Sequence, residues 1–184
     1  MHTPRLKVNK DATFQRDSGT AALAVVVRDL QGKDITGTTA TFRTTSALAA
    51  EAKAYRETLI LIKNLQITNC IIETDCLPLV QAIKAKMPIA EADAIIRDIL
   101  QLPDEAPDVG ATWTLREGNK LAHQLAVMAA ENELRRQWTI NPPIQVRNTI
   151  RTEVGFAILQ HNQGIQNQVN EVSVSTSHQG FQIE

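Results

Sequence analysis

Three carboxylates stand out by residue type and position: Asp11, Glu51 and Asp75. Asp11 follows the alternating run Leu6-Lys7-Val8-Asn9. Glu51 lies three residues after Leu48 and four before Tyr55, at the edge of an otherwise apolar helical face. Asp75 follows the apolar run Cys70-Ile71-Ile72. If the first and fourth strands are neighbours, Asp11 and Asp75 meet, and Glu51 reaches them from the covering helix. Carboxylates gathered this closely repel one another and stay ionised together only when cations compensate them. Hard oxygen donors suit Mg2+ or Mn2+. Two such ions, roughly 4 Å apart, can clamp a phosphodiester and stabilise its attacking and leaving oxygens. Each residue also has a plainer reading: Asp11 as a turn residue, Glu51 as the solvated flank of a helix, Asp75 as a helix N-cap. Type and spacing alone leave these alternatives open.

The elements that must position these acids follow from periodicity. Alternation at residues 6–9, the apolar run Thr20–Arg28, the turn at Asp29-Leu30-Gln31-Gly32-Lys33 and alternation over 34–43 predict a three-strand antiparallel meander. Ser46 caps a helix running to about Leu65, with Leu48, Ala52, Tyr55, Leu59 and Ile62 on one buried face. A short buried strand, Asn69–Thr74, follows, and then a helix capped by Thr74 or Asp75 and running to about Lys84. A helix over about 90–102 ends at Pro103. A strand spans about 109–116, and Gly118-Asn119 opens a last helix bearing Leu121, Leu125 and Met128. Strand–helix–strand units beside a meander predict an α/β fold, a mixed sheet covered by helices. Residues 5–133 are expected to form this domain and 134–156 a C-terminal extension. Residues 157–184, rich in Gln and Asn, are expected to be a disordered polar tail.

With 184 residues, a net charge of −1 and a pI near 6.4, the chain is no strongly basic binder that works by charge alone. Local contact with nucleic acid remains open to it. Cys70 and Cys76 lack metal-ligand or redox spacing and read as free thiols of a reducing compartment. Residues 1–20 are polar, and no apolar run is long enough to span a bilayer. A soluble, intracellular protein is expected, with nucleus or cytoplasm left open, acting as a monomer.

Five ordered motifs add a resemblance. Lys7-Val8-Asn9-Lys10-Asp11-Ala12-Thr13-Phe14 resembles the K-x-N-x-D-G-A-F opening of plant ribonuclease-H-like proteins, relatives of the ribonuclease H of non-LTR retrotransposons. Val25-Val26-Val27-Arg28-Asp29 with Gly32 resembles their V-I-R-D-x-x-G hairpin. Ser46-Ala47-Leu48-Ala49-Ala50-Glu51 resembles S-A-L-x-A-E, and Ile72-Glu73-Thr74-Asp75-Cys76 resembles V-E-x-D-S. Arg116-Glu117-Gly118-Asn119-Lys120-Leu121-Ala122-His123 with Leu125-Ala126 resembles R-E-x-N-x-x-A-D/H-x-L-A. The set covers about residues 5–133. It implies a five-stranded mixed sheet flanked by helices and endonucleolytic cleavage of the RNA strand of RNA–DNA hybrids by direct water attack. Asp11, Glu51 and Asp75 would be catalytic residues holding Mg2+, with Mn2+ as a substitute.

The sequence also departs from this family. His123 stands where active members carry a fourth carboxylate, and imidazole is a poor Mg2+ ligand beside carboxylates. His123 reads either as an auxiliary catalytic residue that moves protons near its own pKa or as a polar residue in the first helical turn without catalytic duty. Ala12, Ala22 and Ala24 replace glycines. Lys10 either competes with metal, contacts phosphate or, by alternation, points into solvent. Lys84 and Lys86 read as a solvated helix end, Trp113 as core, and Trp138 as a cover for the domain edge. Two functions follow: a weakly active hybrid ribonuclease, or a nucleic-acid-binding or interaction module of retroelement origin whose catalysis has decayed.

Overall fold

Residues 6–43 form the meander that their alternation predicts, with β1 (Leu6–Gln15), β2 (Thr20–Arg28) and β3 (Asp34–Arg43) antiparallel in sequence order. The computed structural model describes residues 6–29, 31–102, 108–135 and 138–154. The expected polar tail at 157–184 and the Pro103 helix stop lie outside these residues. β1 is longer than its alternating core suggests, because it pairs with β2 from Lys7↔Arg28 to Gln15↔Thr20. Gly19 closes that hairpin at φ +68, a left-handed conformation that only glycine adopts freely.

Ser46 caps α1 (Ala47–Asn64), its side chain accepting the Ala49 N–H at 3.1 Å. β4 (Asn69–Thr74) and α2 (Leu77–Ala85) follow. Asp75 is not the cap of α2, whose N-cap is Cys76, and Thr74 Oγ1 accepts the Cys76 N–H at 3.2 Å. Then come α3 (Asp93–Gln101), β5 (Asp108–Trp113), a 3-10 turn at Arg116–Gly118, and α4 (Lys120–Ala130). A fifth helix covers residues 144–154. No helix among the described residues is long and apolar enough to cross a membrane.

The sheet order is β3-β2-β1-β4-β5, with β4 parallel to both β1 and β5. This is the expected α/β fold with a five-stranded mixed sheet. One face, carrying Val8, Leu23, Val25 and Val27, packs on Ala52, Tyr55, Leu59 and Ile62 of α1 and on Ile96 and Ile99 of α3. The other face, carrying Ala24 and Val26, packs on Leu121, Leu125 and Met128 of α4. Covered on both faces, β2 is buried along nearly its whole length.

Residues beyond α4 complete the second face. Trp138 and Val146 are buried against it. A Cβ on Gly37 would lie 2.7 Å from Val25 O and 2.8 Å from the Trp138 ring, so only glycine lets the indole lie on β3. Glu153 forms a buried ion pair with Arg28, and its Oε1 accepts the Leu121 N–H at 2.8 Å. A carboxylate therefore answers the unsatisfied amides and positive end of α4.

Replacing Glu153 with Ala leaves the Arg28 guanidinium without its buried carboxylate and frees the first turn of α4. The expected loss is about 3 kcal/mol in urea denaturation. A loss below about 1 kcal/mol, the scale of an exposed pair, would overturn this assignment.

Candidate active site

β1 and β4 are paired only from Leu6↔Cys70 to Asn9↔Glu73. Beyond that level they part, and Asp11 and Asp75 follow their last paired residues by the same two positions. The chain thus places both acids at one level, at the mouth of the gap between the strands. Asp11 lies within β1, so its reading as a turn residue is overturned; it is only 3% exposed. Glu51, in the first turns of α1, reaches the gap and accepts the Ala12 backbone N–H at 3.2 Å. One oxygen from each of Asp11, Glu51 and Asp75 lies within 4.8 Å of the others. The three acids therefore converge as their spacing suggested.

Lys10 corrects the expectation of solvent exposure. Alternation correctly puts it on the face opposite Asp11, but α1 covers that face, and Lys10 is 0% exposed. Its Nζ forms an ion pair with Glu51 Oε2 and lies 3.1 Å from the Glu51 carbonyl oxygen. The fourth position is filled by His123, whose Nδ1 lies 2.7 Å from Asp11 Oδ2.

Asn119, unremarked as a functional residue in the motif that contains it, fills the fork between the strands. Its Nδ2 donates to Lys10 O at 3.0 Å, a carbonyl that β4 no longer reaches, and lies 3.4 Å from Asp75 Oδ1. Asn9 donates to Asn119 Oδ1 at 3.3 Å and to Glu73 at 3.2 Å. Two buried amides thus hold the fork open beneath the acids.

The electrostatics follow from burial and like charge. Burial raises the Asp11 carboxyl from 3.8 to about 8, the neighbouring Glu51 and Asp75 charges push the same way, and Lys10 opposes them. A side-chain hydrogen bond toward Glu51 acts in the same upward direction on Asp11. His123 is held below its ordinary value by burial and by Arg116, against the pull of Asp75 and Glu51. The imidazole nitrogen Nδ1 is contacted both by Asp11 Oδ2 and, at 3.4 Å, by Arg116 Nη2, and the direction of its hydrogen bond to Asp11 follows the tautomer. A divalent cation would displace the Asp11 proton and satisfy the cluster. The hard, oxygen-only donor set therefore fits Mg2+ or Mn2+.

Trp113 corrects a second expectation. It is 44% exposed rather than core, and Leu115 beside it is exposed too. Trp113 is the last residue of an edge strand, so alternation continues past the region that helices cover. Its Nε1 donates to the Asp75 carbonyl at 3.3 Å, which fixes the indole beside the acids. Arg116 follows, its Nε 3.9 Å from Asp75 Oδ2 and its side chain 67% exposed. Lys84 and Lys86 are exposed at the end of α2, as a solvated helix end requires. An apolar cavity of about 430 Å3, lined by Tyr55, Leu59, Ile62, Ile83, Ile99 and Leu102, touches none of the four candidate residues.

Residues 9–129 match the Reverse transcriptase-like family, a span from Asn9 through most of α4. The chain belongs to that family. As a member it carries a ribonuclease-H-like domain, and solved structures share its fold. RNase H1 from the halophilic archaeon Halobacterium salinarum NRC-1 is 18% identical with a TM-score of 0.64, over 70% of this chain and 98% of that one. LC11-RNase H1, solved with an RNA/DNA hybrid, is 18% identical with a TM-score of 0.64, over 71% and 100%. A foamy viral protease-reverse transcriptase, solved with dsDNA, is 15% identical with a TM-score of 0.55, over 70% and 94%. No curated protein matches the chain.

The raised Asp11 value has a consequence for folding. A carboxyl that binds its proton more tightly when folded stabilises the protein fully below about pH 4, and that stability is lost as pH rises through about 8. In chelator, wild-type stability should fall between pH 5 and pH 8.5 relative to Asp11→Asn, as read by urea denaturation. Parallel pH profiles for the two proteins would show that Asp11 titrates normally.

Proposed function

We propose that this protein is a divalent-metal-dependent endoribonuclease that cuts the RNA strand of RNA–DNA hybrids, descended from the plant and non-LTR retroelement branch that its motifs resemble. The observation that carries the reading is the convergence of Asp11, Glu51 and Asp75 at the open fork of β1 and β4. The belonging of residues 9–129 to a ribonuclease-H-like family supports it, as does the hybrid bound by a protein of the same fold.

Asp11, Glu51 and Asp75 would hold the ion. When bound, it would polarise the scissile phosphate and make an attacking water more acidic. The chain's own residues do the rest. Asn119 and Asn9 keep the fork open. His123 contacts Asp11 through Nδ1, and its side chain is 37% exposed, so the imidazole can exchange a proton with solvent. Trp113 offers an indole face to a base or sugar, and Arg116 a guanidinium to phosphate. These contacts are local, in keeping with a net charge of −1.

The pairing of Lys10 with Glu51 and the imidazole at position 123 favour a second reading, a binding module with decayed catalysis. Cleavage of a labelled hybrid in Mg2+ and in Mn2+ separates the two. The nuclease cuts only with metal and falls to background in Asp75→Asn, whereas a folded protein that cuts in neither metal sinks the enzyme assignment.

Trp113→Ala should raise KM for the hybrid by roughly tenfold with little change in kcat, the scale of one base–aromatic stack at ~1–3 kcal/mol. Unchanged KM would remove the indole from the substrate path.

A further inference from the structure

Lys10 is buried within the acid cluster, and its charge must be answered inside the protein. A buried ammonium costs several kcal/mol unless it is paired and hydrogen-bonded. Here Glu51 meets both needs, through the Oε2 ion pair and the carbonyl oxygen at 3.1 Å. The other carboxylate oxygen of Glu51 accepts the Ala12 N–H. Both Glu51 oxygens are thus already engaged by cationic or N–H donors of the chain itself.

We propose that Lys10 is a tethered cation standing at Glu51 in place of a second divalent ion, so that the pocket loads a single Mg2+ or Mn2+ among Asp11, Glu51 and Asp75. The inference rests on the metal-dependent reading above and sets its stoichiometry. Charge balance supports it. With the acids ionised, three carboxylates and one ammonium leave two negative charges, which one divalent ion neutralises. A second ion would leave the buried pocket strongly positive, with Arg116 already 3.9 Å from Asp75. His123 gives a second ion no help, because it presents Nδ1 to Asp11 and adds no negative charge. The ammonium also needs no recruitment from solution. It sits on β1 next to Asp11, with its side chain fully buried beneath α1. Lys10 is therefore a positioning residue. It fixes the Glu51 carboxylate and supplies one immobile positive charge beside the pocket.

The experiment counts bound Mn2+ by the electron paramagnetic resonance of the free ion, with calorimetry for affinity, on the metal-stripped full chain. Wild type should bind one ion. Lys10→Met and Lys10→Gln should bind Mn2+ at least roughly tenfold more tightly or take up a second ion, since one neighbouring charge shifts a carboxylate's affinity for cations on that scale. Lys10→Gln keeps an N–H donor for Glu51, so it carries the comparison if Lys10→Met fails to fold. Two ions in wild type would overturn the proposal and leave the metal-dependent nuclease standing. One ion in every protein at unchanged affinity would overturn it as well. No ion in any folded protein, wild type or variant, would overturn both this proposal and the reading it rests on.

Discussion

Three carboxylates, Asp11 buried and Glu51 and Asp75 partly so, share a corner at the end of one strand pair, and the cost of their mutual repulsion shapes everything around them. Like charges at such separations, away from water, hold together only with compensation. The chain supplies several kinds. Lys10 pairs with Glu51, a backbone N–H from Ala12 binds the same carboxylate, His123 contacts Asp11, and burial among the other acids raises the Asp11 carboxyl so that it holds its proton more tightly. A hard divalent cation would relieve the repulsion that remains.

That corner exists because two strands separate. Parallel pairing of β1 and β4 ends at Asn9 and Glu73, and the freed polar groups must find partners elsewhere. Asn119 takes the orphaned carbonyl of Lys10, and Asn9 ties Asn119 to Glu73. Asn119 stands at the start of α4, so the placement of that helix decides the geometry of the fork and of His123 one turn on. The segment after α4 secures it in turn: Glu153 holds the first turn of α4 and pairs with Arg28, while Trp138 lies on Gly37 of β3. Residues far along the chain and far from the acids therefore bear on how the acids are aimed.

Nucleic acid would meet a modest surface. Among the described residues, the cluster is bordered by a fixed indole, an exposed leucine and an arginine. Stacking and a single charge-assisted contact recognise a strand locally without the long-range attraction that a basic protein exerts.

Much of this was legible in the chain itself. Periodicity predicted β2, β3, α1 and β4 nearly to their observed ends, because an alternating strand or an apolar helical stripe is a local property that tertiary packing reinforces. The three acids were recognisable from their positions beside apolar runs and from five ordered motifs. What the sequence could not decide is which surfaces are covered. Alternation placed Lys10 opposite Asp11 but could not show that α1 lies there, which turns an apparent solvent lysine into a buried counter-ion. The same rule placed Trp113 on a core-facing row but could not show that an edge strand outruns its covering helices. The amide wedge of Asn9 and Asn119 was invisible for a related reason, since it answers a gap between strands that only their pairing creates. Local pattern determined the elements and the residues able to do chemistry. The packing of those elements decided which charges are buried and therefore how those residues can act.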